Sequence, residues 1–135
     1  MEATPKPYKI GLALSGGGAK GFAHLGVFKL LEESGLKPEI ISGTSAGSLM
    51  GVLFADGYSA EEIKNMFIGR EFSEFAQLQI PKSGLFNYDR FQDFLRRHLR
   101  TKRIEDLPIP TVIVATDLDR GCSHEFRSGP IVEAV

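Results

Sequence analysis

Residues 38–57 read PEIISGTSAGSLMGVLFADG: an apolar stretch, a glycine-flanked serine, then a second apolar stretch rich in small residues. The first part belongs to KPEIIS (37–42), short and without polar alternation, which predicts a buried parallel strand. The last part, AGSLMGVLFADG (46–57), predicts a helix packed closely on a sheet, with Gly57 as its stop. Between them Gly43, Ser45 and Gly47 complete a G-x-S-x-G pattern. In that pattern the serine stands on a sharp strand-to-helix elbow, the glycines leave room for the turn, and the hydroxyl projects from the sheet rim. A lone serine at a helix start is more commonly a cap. What precedes the strand bears on the choice.

YKIGLAL (8–14) predicts a strand that runs into the tight turn SGGGAKG (15–21). AKGFAHLGVFKLLEESG (19–35) then predicts a helix with an apolar stripe of Ala23, Val27, Leu30 and Leu31, flanked by Phe22 and Leu25 and ended by Gly35. Strand, helix, strand in this order predicts parallel neighbours whose ends lie side by side at one rim. SGGGAKG and SGTSAG are therefore expected to face each other. GGGAKG formally satisfies the dinucleotide fingerprint, but that reading also wants an acid at the end of the second strand. The strand ends in SGTS instead, and Glu39 stands at its beginning. A P-loop is excluded because Lys20 is followed by Gly21. A glycine turn is equally able to aim backbone N–H groups at an oxyanion. Ser45 at the neighbouring strand end favours this last use. The N–H groups of Ala46, Gly17 and Gly18 are then the expected donors, beside a helix N-terminus that favours negative charge.

Further along, Ser59 and Glu62 fit a capping box for AEEIKNMFIG (60–69). REFSEFAQLQIPKSG (70–84) is the least periodic part, and its Phe72, Phe75, Leu78 and Ile80 are candidates for the core or for an acyl-chain groove. LFNYDRFQDFLRRHL (85–99) predicts a helix through Tyr88, Phe91, Phe94, Leu95 and Leu99, capped by Asn87. IPTVIVATDL (109–118) predicts a third strand, and DRGCSHEF (119–126) a polar loop. RSGPIVEAV (127–135) reads as a helix start with Ser128 or Gly129 as cap and Pro130 in the first turn, expected to belong to a longer domain. Strands alternating with helices make an α/β domain with a mainly parallel sheet, preceded by a polar tail over 1–8.

Composition narrows the class. The 135 residues are 42% hydrophobic and 24% charged, with 16 basic against 17 acidic residues, a balance that gives no footprint for a nucleic-acid partner. The basic run RRHLRTKR (96–103) reads as a solvated helix end, with contact to an anionic surface as the alternative. Cys122 is the single cysteine, without metal-ligand spacing around it, so no metal or cofactor is expected and a reducing, cytoplasmic location is. No run approaches the roughly 20 apolar residues that a membrane span requires.

A nucleophilic serine needs a proton acceptor. The three histidines are His24 in the first helix, His98 in the basic helix end and His124 in the polar loop. None is expected at the rim with an orienting acid, as a Ser–His–Asp triad would require. A carboxylate touching the hydroxyl in a shielded site also suffices. Asp117 and Asp119 follow the third strand, where capping the turn TDLDRG is the commoner role.

LALSGGGAKGFAHLGV (12–27), GTSAG (43–47), SGLFNYDRF (83–91), LPIPTVIVATDLDRG (107–121) and FRSGPIVEAV (126–135) together resemble, in order, the patatin-like phospholipase family of the bacterial kind. The likeness spans nearly the whole chain. It implies a three-layer α/β/α fold, with residues 9–135 as the N-terminal part of a single hydrolase domain. It further implies hydrolysis of lipid esters by a Ser–Asp dyad without a catalytic histidine. Ser45 matches the nucleophile and Gly16, Gly17 and Gly18 the oxyanion segment. Lys20 matches a basic position with a structural or electrostatic role, and His24 a helix residue outside the dyad. Asp117 matches a strand-end aspartate other than the dyad's. The family's dyad aspartate lies in a D-G-G or D-G-A motif, which these 135 residues lack. The resemblance thus implies a parent enzyme acting on a phospholipid, lysophospholipid or small ester, with peripheral membrane contact. The alternatives are a catalytically silent binding or assembly module, self-associating if truncated, and a dinucleotide-binding domain.

Overall fold

The structure, a computed structural model, describes residues 10–68 and 88–135. The polar tail, the segment carrying Phe72, Phe75, Leu78 and Ile80, and the Asn87 cap lie outside the described residues. Strands β1 (Gly11–Leu14), β2 (Ile40–Gly43), β3 (Thr111–Asp117) and β4 (Cys122–Phe126) form a sheet in the order β1-β2-β3-β4. β1–β2 and β2–β3 are parallel, and β3–β4 is an antiparallel pair. Helices α1 (His24–Glu33), α2 (Ala46–Ala55), α3 (Ala60–Ile68), α4 (Tyr88–His98) and α5 (Ile131–Ala134) flank it. This is the mostly parallel α/β/α architecture that the sequence predicts.

The register aligns Leu14, Gly43 and Ile113 across the three parallel strands. Leu14, Ile41 and Ile113 join the buried residues of α1–α4 in one core with Ile104 and Ile131. α2 is the centre of that core: Gly47, Ser48, Met50, Gly51, Val52, Leu53 and Ala55 are all buried. It lies close to the strands because Gly51 has no side chain; a Cβ there would stand 2.9 Å from Ile41 Cγ2. Phe28 of α1 stacks on Phe54 of α2, and Phe67 of α3 meets Phe94 of α4. Burying a side chain of that size stabilises the fold by about 2–3 kcal/mol.

Both predicted glycine stops hold. Gly35 (φ 64°) and Gly57 (φ 96°) take the left-handed conformation. Leu36 N–H bonds to Leu31 C=O and Gly35 N–H to Glu32 C=O, with the same pair of bonds at Gly57 and Tyr58, so each helix ends in a Schellman motif. The capping box also forms: Glu62 N–H donates to Ser59 Oγ (3.2 Å) and Ser59 N–H to Glu62 Oε2 (2.7 Å). Asp56, buried at the end of α2, receives the Arg100 N–H at 2.7 Å and the Thr101 N–H at 3.4 Å. The Arg100 guanidinium lies over the Tyr58 ring, so the ends of α2 and α4 are tied together.

Three local expectations differ. The core side of α1 is Phe28 and Leu31, while Val27 and Leu30 of the predicted stripe are exposed. The segment read as a polar loop forms β4, whose side chains are almost all exposed. The C-terminal helix starts at Ile131 with Pro130 itself at the cap position.

Candidate active site

β2 ends at Gly43 and α2 begins at Ala46, so the chain turns from strand to helix through Thr44 and Ser45. Ser45 has φ 51° and ψ −126°, and among the described residues no other non-glycine residue has positive φ. Such a conformation costs about 1–3 kcal/mol and persists only where the surroundings enforce it. Ser45 holds the N-cap position of α2, yet its hydroxyl makes no capping bond and the residue is exposed. An ordinary N-cap serine is extended and spends its hydroxyl on the helix. Here the backbone does that work. Thr44 C=O accepts the Gly47 N–H at 2.9 Å, and Ser45 C=O accepts the N–H groups of Ser48 and Leu49. Ser48 Oγ adds a third bond to Ser45 C=O at 2.6 Å.

The flanking glycines are sites of backbone contact. A Cβ on Gly43 would lie 2.5 Å from Gly47 O, and one on Gly47 would lie 2.2 Å from Leu14 O and 2.6 Å from Ser15 O. The start of α2 thus rests directly on the end of β1. That contact brings the two glycine motifs together, as their placement after neighbouring strands predicts.

The turn after β1 supplies the facing surface. Gly17 (φ 147°) and Gly18 (φ 54°) reverse the chain into a 3-10 segment, Gly18–Ala23. A Cβ on Gly16 would lie 3.1 Å from Ser45 Cβ and 3.7 Å from Ser45 Oγ. A Cβ on Gly21 would lie 2.6 Å from Ala46 Cβ, so Gly21 docks the segment on the first residue of α2. Among the described residues, the backbone N–H groups of Gly16, Gly17, Gly18 and Ala46 donate to no other group. Lys20 is exposed, and its N–H closes the turn on Gly17 C=O at 3.1 Å.

Asp117 is the last residue of β3, four residues beyond Ile113, the partner of Gly43. Its Oδ1 accepts the N–H groups of Asp119 and Arg120, each at 3.0 Å, and Oδ2 faces Arg120. This is the turn-capping role. His24 Nε2 bonds to Ser15 C=O at 2.9 Å, His98 Nδ1 to Phe94 C=O at 2.8 Å, and His124 packs edge-on against Phe126. Reading the sequence missed Gly21, Ser48 and the His24 bond. Ser48 carries a signal, since a serine three residues into a helix reaches back to the carbonyl before it. The others depend on how the turn folds over α2.

The family model for patatin-like phospholipases matches residues 12–135. The human patatin-like phospholipase domain-containing protein 6 is 34% identical over 130 residues, 90% of this chain and 9% of that protein. An uncharacterised NTE family protein of Mycobacterium tuberculosis is 34% identical over 129 residues, 94% of this chain and 36% of its own length. The neuropathy target esterase of Drosophila persimilis is 30% identical over 130 residues, covering 90% of this chain and 9% of its own. The chain therefore spans about a third of the mycobacterial relative and about a tenth of the animal ones. Among the described residues no helix is long and apolar enough to cross a membrane. With the glycine turn and the serine elbow inside the matched span, this chain belongs to the patatin-like phospholipase family.

Proposed function

We propose that this chain carries the nucleophile and the oxyanion donors of a serine acyl hydrolase acting on lipid esters. The observation that carries the reading is the Ser45 backbone: a strained residue at a helix start, its exposed hydroxyl spent on no cap and lying against Gly16. Ser45 Oγ attacks the ester carbonyl carbon while its proton passes to a carboxylate outside these residues. The carbonyl oxygen gains negative charge between the N–H groups of Gly16, Gly17 and Gly18 and that of Ala46, at the positive end of α2. The alcohol leaves, and water then releases the fatty acid from the acylated serine.

The family match and the motif order support reading residues 9–135 as the first part of the hydrolase domain, with its dyad aspartate in a later D-G-G or D-G-A motif. Lys20, exposed on the turn, has the charge to attract an anionic headgroup. Substrates are then phospholipids or lysophospholipids met at a membrane surface. In the full-length polypeptide, Ser45 is expected to react with a fluorophosphonate and to be required for hydrolysis of short p-nitrophenyl esters. Unchanged labelling and turnover in Ser45→Ala would refute the assignment.

A further inference from the structure

We propose that His24 is a positioning residue for the reaction of Ser45, holding the Ser15–Gly16 peptide plane so that the Gly16 N–H stays available to the reacting carbonyl oxygen. The inference rests on the acyl-hydrolase reading above. A trans peptide is planar, with its C=O and N–H pointing in opposite directions. Whatever binds Ser15 C=O therefore also aims the Gly16 N–H. His24 Nε2 is that partner, at 2.9 Å, and it is the only hydrogen bond of this carbonyl among the described residues. A carbonyl only accepts, so Nε2 carries the proton.

The anchor is firm and the turn is not. His24 is the first residue of α1, and its backbone N–H bonds back to Gly21 and Phe22 carbonyls of the 3-10 segment. The turn itself is three glycines, two of them at positive φ, and among the described residues one backbone bond outside the helices and strands crosses it, from Lys20 N–H to Gly17 C=O. The plane bearing the Ala46 N–H differs, because Ser45 C=O is held by Ser48 N–H, Leu49 N–H and Ser48 Oγ together. Ala46 is fixed by the start of a helix, whereas the Gly16 plane is fixed by one side chain. A Cβ on Gly16 would stand 3.1 Å from Ser45 Cβ, so the Gly16 peptide lies beside the reacting side chain and a tilt of it is felt there.

The test measures kcat and KM for ester hydrolysis in the full-length polypeptide, with wild type, Ser45→Ala, His24→Phe and His24→Gln. Phenylalanine keeps the ring and removes the donor; glutamine restores an N–H at similar reach. His24→Phe is expected to lower kcat about 10- to 100-fold, with KM within about twofold, the signature of a misplaced transition-state donor. His24→Gln is expected to recover most of that loss, and both variants to melt as wild type does. Wild-type kcat in His24→Phe overturns the proposal. So does an equal loss in both variants, or a loss that follows KM and melting temperature. If Ser45→Ala abolishes hydrolysis while His24→Phe keeps it, the positioning role alone falls. If Ser45→Ala keeps hydrolysis, the acyl-hydrolase reading falls and takes this role with it.

Discussion

Gly47 rests on Leu14 so closely that a β-carbon on Gly47 would stand 2.2 Å from the Leu14 carbonyl oxygen. The neighbouring Ser15 oxygen would be 2.6 Å away, and both clashes are with backbone, which has no rotamer to yield. Gly47→Ala is therefore expected to destabilise the fold by about 3 kcal/mol or more, by forcing α2 off the end of β1. Gly26→Ala is the control, since Gly26 is exposed within α1 with nothing near its missing side chain. It should stabilise by about 0.5–1 kcal/mol through helix propensity. Denaturant midpoints moving in opposite directions support the close approach. A tolerated alanine at 47 would contradict it.

Asp117 gives a second expectation. Its Oδ1 holds two backbone N–H groups of the β3–β4 turn, and asparagine retains an acceptor there. Asp117→Asn should be close to neutral in stability and in ester hydrolysis, while Asp117→Ala should cost about 1 kcal/mol of stability. Loss of hydrolysis in a folded Asp117→Asn protein would instead make this carboxylate the proton acceptor.

These two positions show what a sequence reveals. Gly43 and Gly47 were legible because a motif with fixed spacing encodes a steric demand: a strand and helix meeting at a sharp turn need missing side chains. Asp117 was legible as a turn cap from its short polar side chain among turn residues. β4 was not, because Cys122, Ser123, His124 and Glu125 are exposed on it and carry no alternation of apolar and polar residues. Pairing with β3 supplies its order. The buried side of α1 is only partly legible, through Leu31, for the opposite reason. Phe22, Leu25, Val27, Phe28, Leu30 and Leu31 spread apolar character around most of the helix, and only packing against α2 and α3 selects Phe28 over Val27. The His24 bond was illegible too, since it joins a helix residue to a turn carbonyl whose direction three glycines leave open.

Acid should weaken the start of α3 in a defined way. The Ser59 backbone N–H, then the Ser59 side chain, hold the Glu62 carboxyl below its usual value, with Arg100 adding to them. A carboxylate whose folded pKa is depressed contributes stability above its unfolded value, and loses it as pH falls through the folded one. Glu62→Gln should therefore melt below wild type near neutral pH, and the gap should narrow steadily as pH drops below the ordinary glutamate range. A gap that is constant with pH would show that the carboxylate charge is not what the cap uses.

Ser45 itself offers the sharpest separation of stability from chemistry. At φ 51° and ψ −126° its backbone sits where an L side chain is strained, and where glycine is not. Relief of that strain is worth about 1–3 kcal/mol, against which glycine's extra freedom in the unfolded chain costs about 0.5–1 kcal/mol. Ser45→Ala keeps a β-carbon and so keeps the strain; Ser45→Gly removes both. Since the hydroxyl makes no capping bond, neither variant forfeits a hydrogen bond of the helix. Ser45→Gly should then be more stable than Ser45→Ala by about 1 kcal/mol, read as a higher denaturant midpoint at unchanged slope. Both should lose fluorophosphonate labelling completely. Equal or inverted midpoints would mean that the elbow is relaxed. A more stable and wholly inert Ser45→Gly is the outcome expected of a fold that holds this residue under strain for the sake of its hydroxyl.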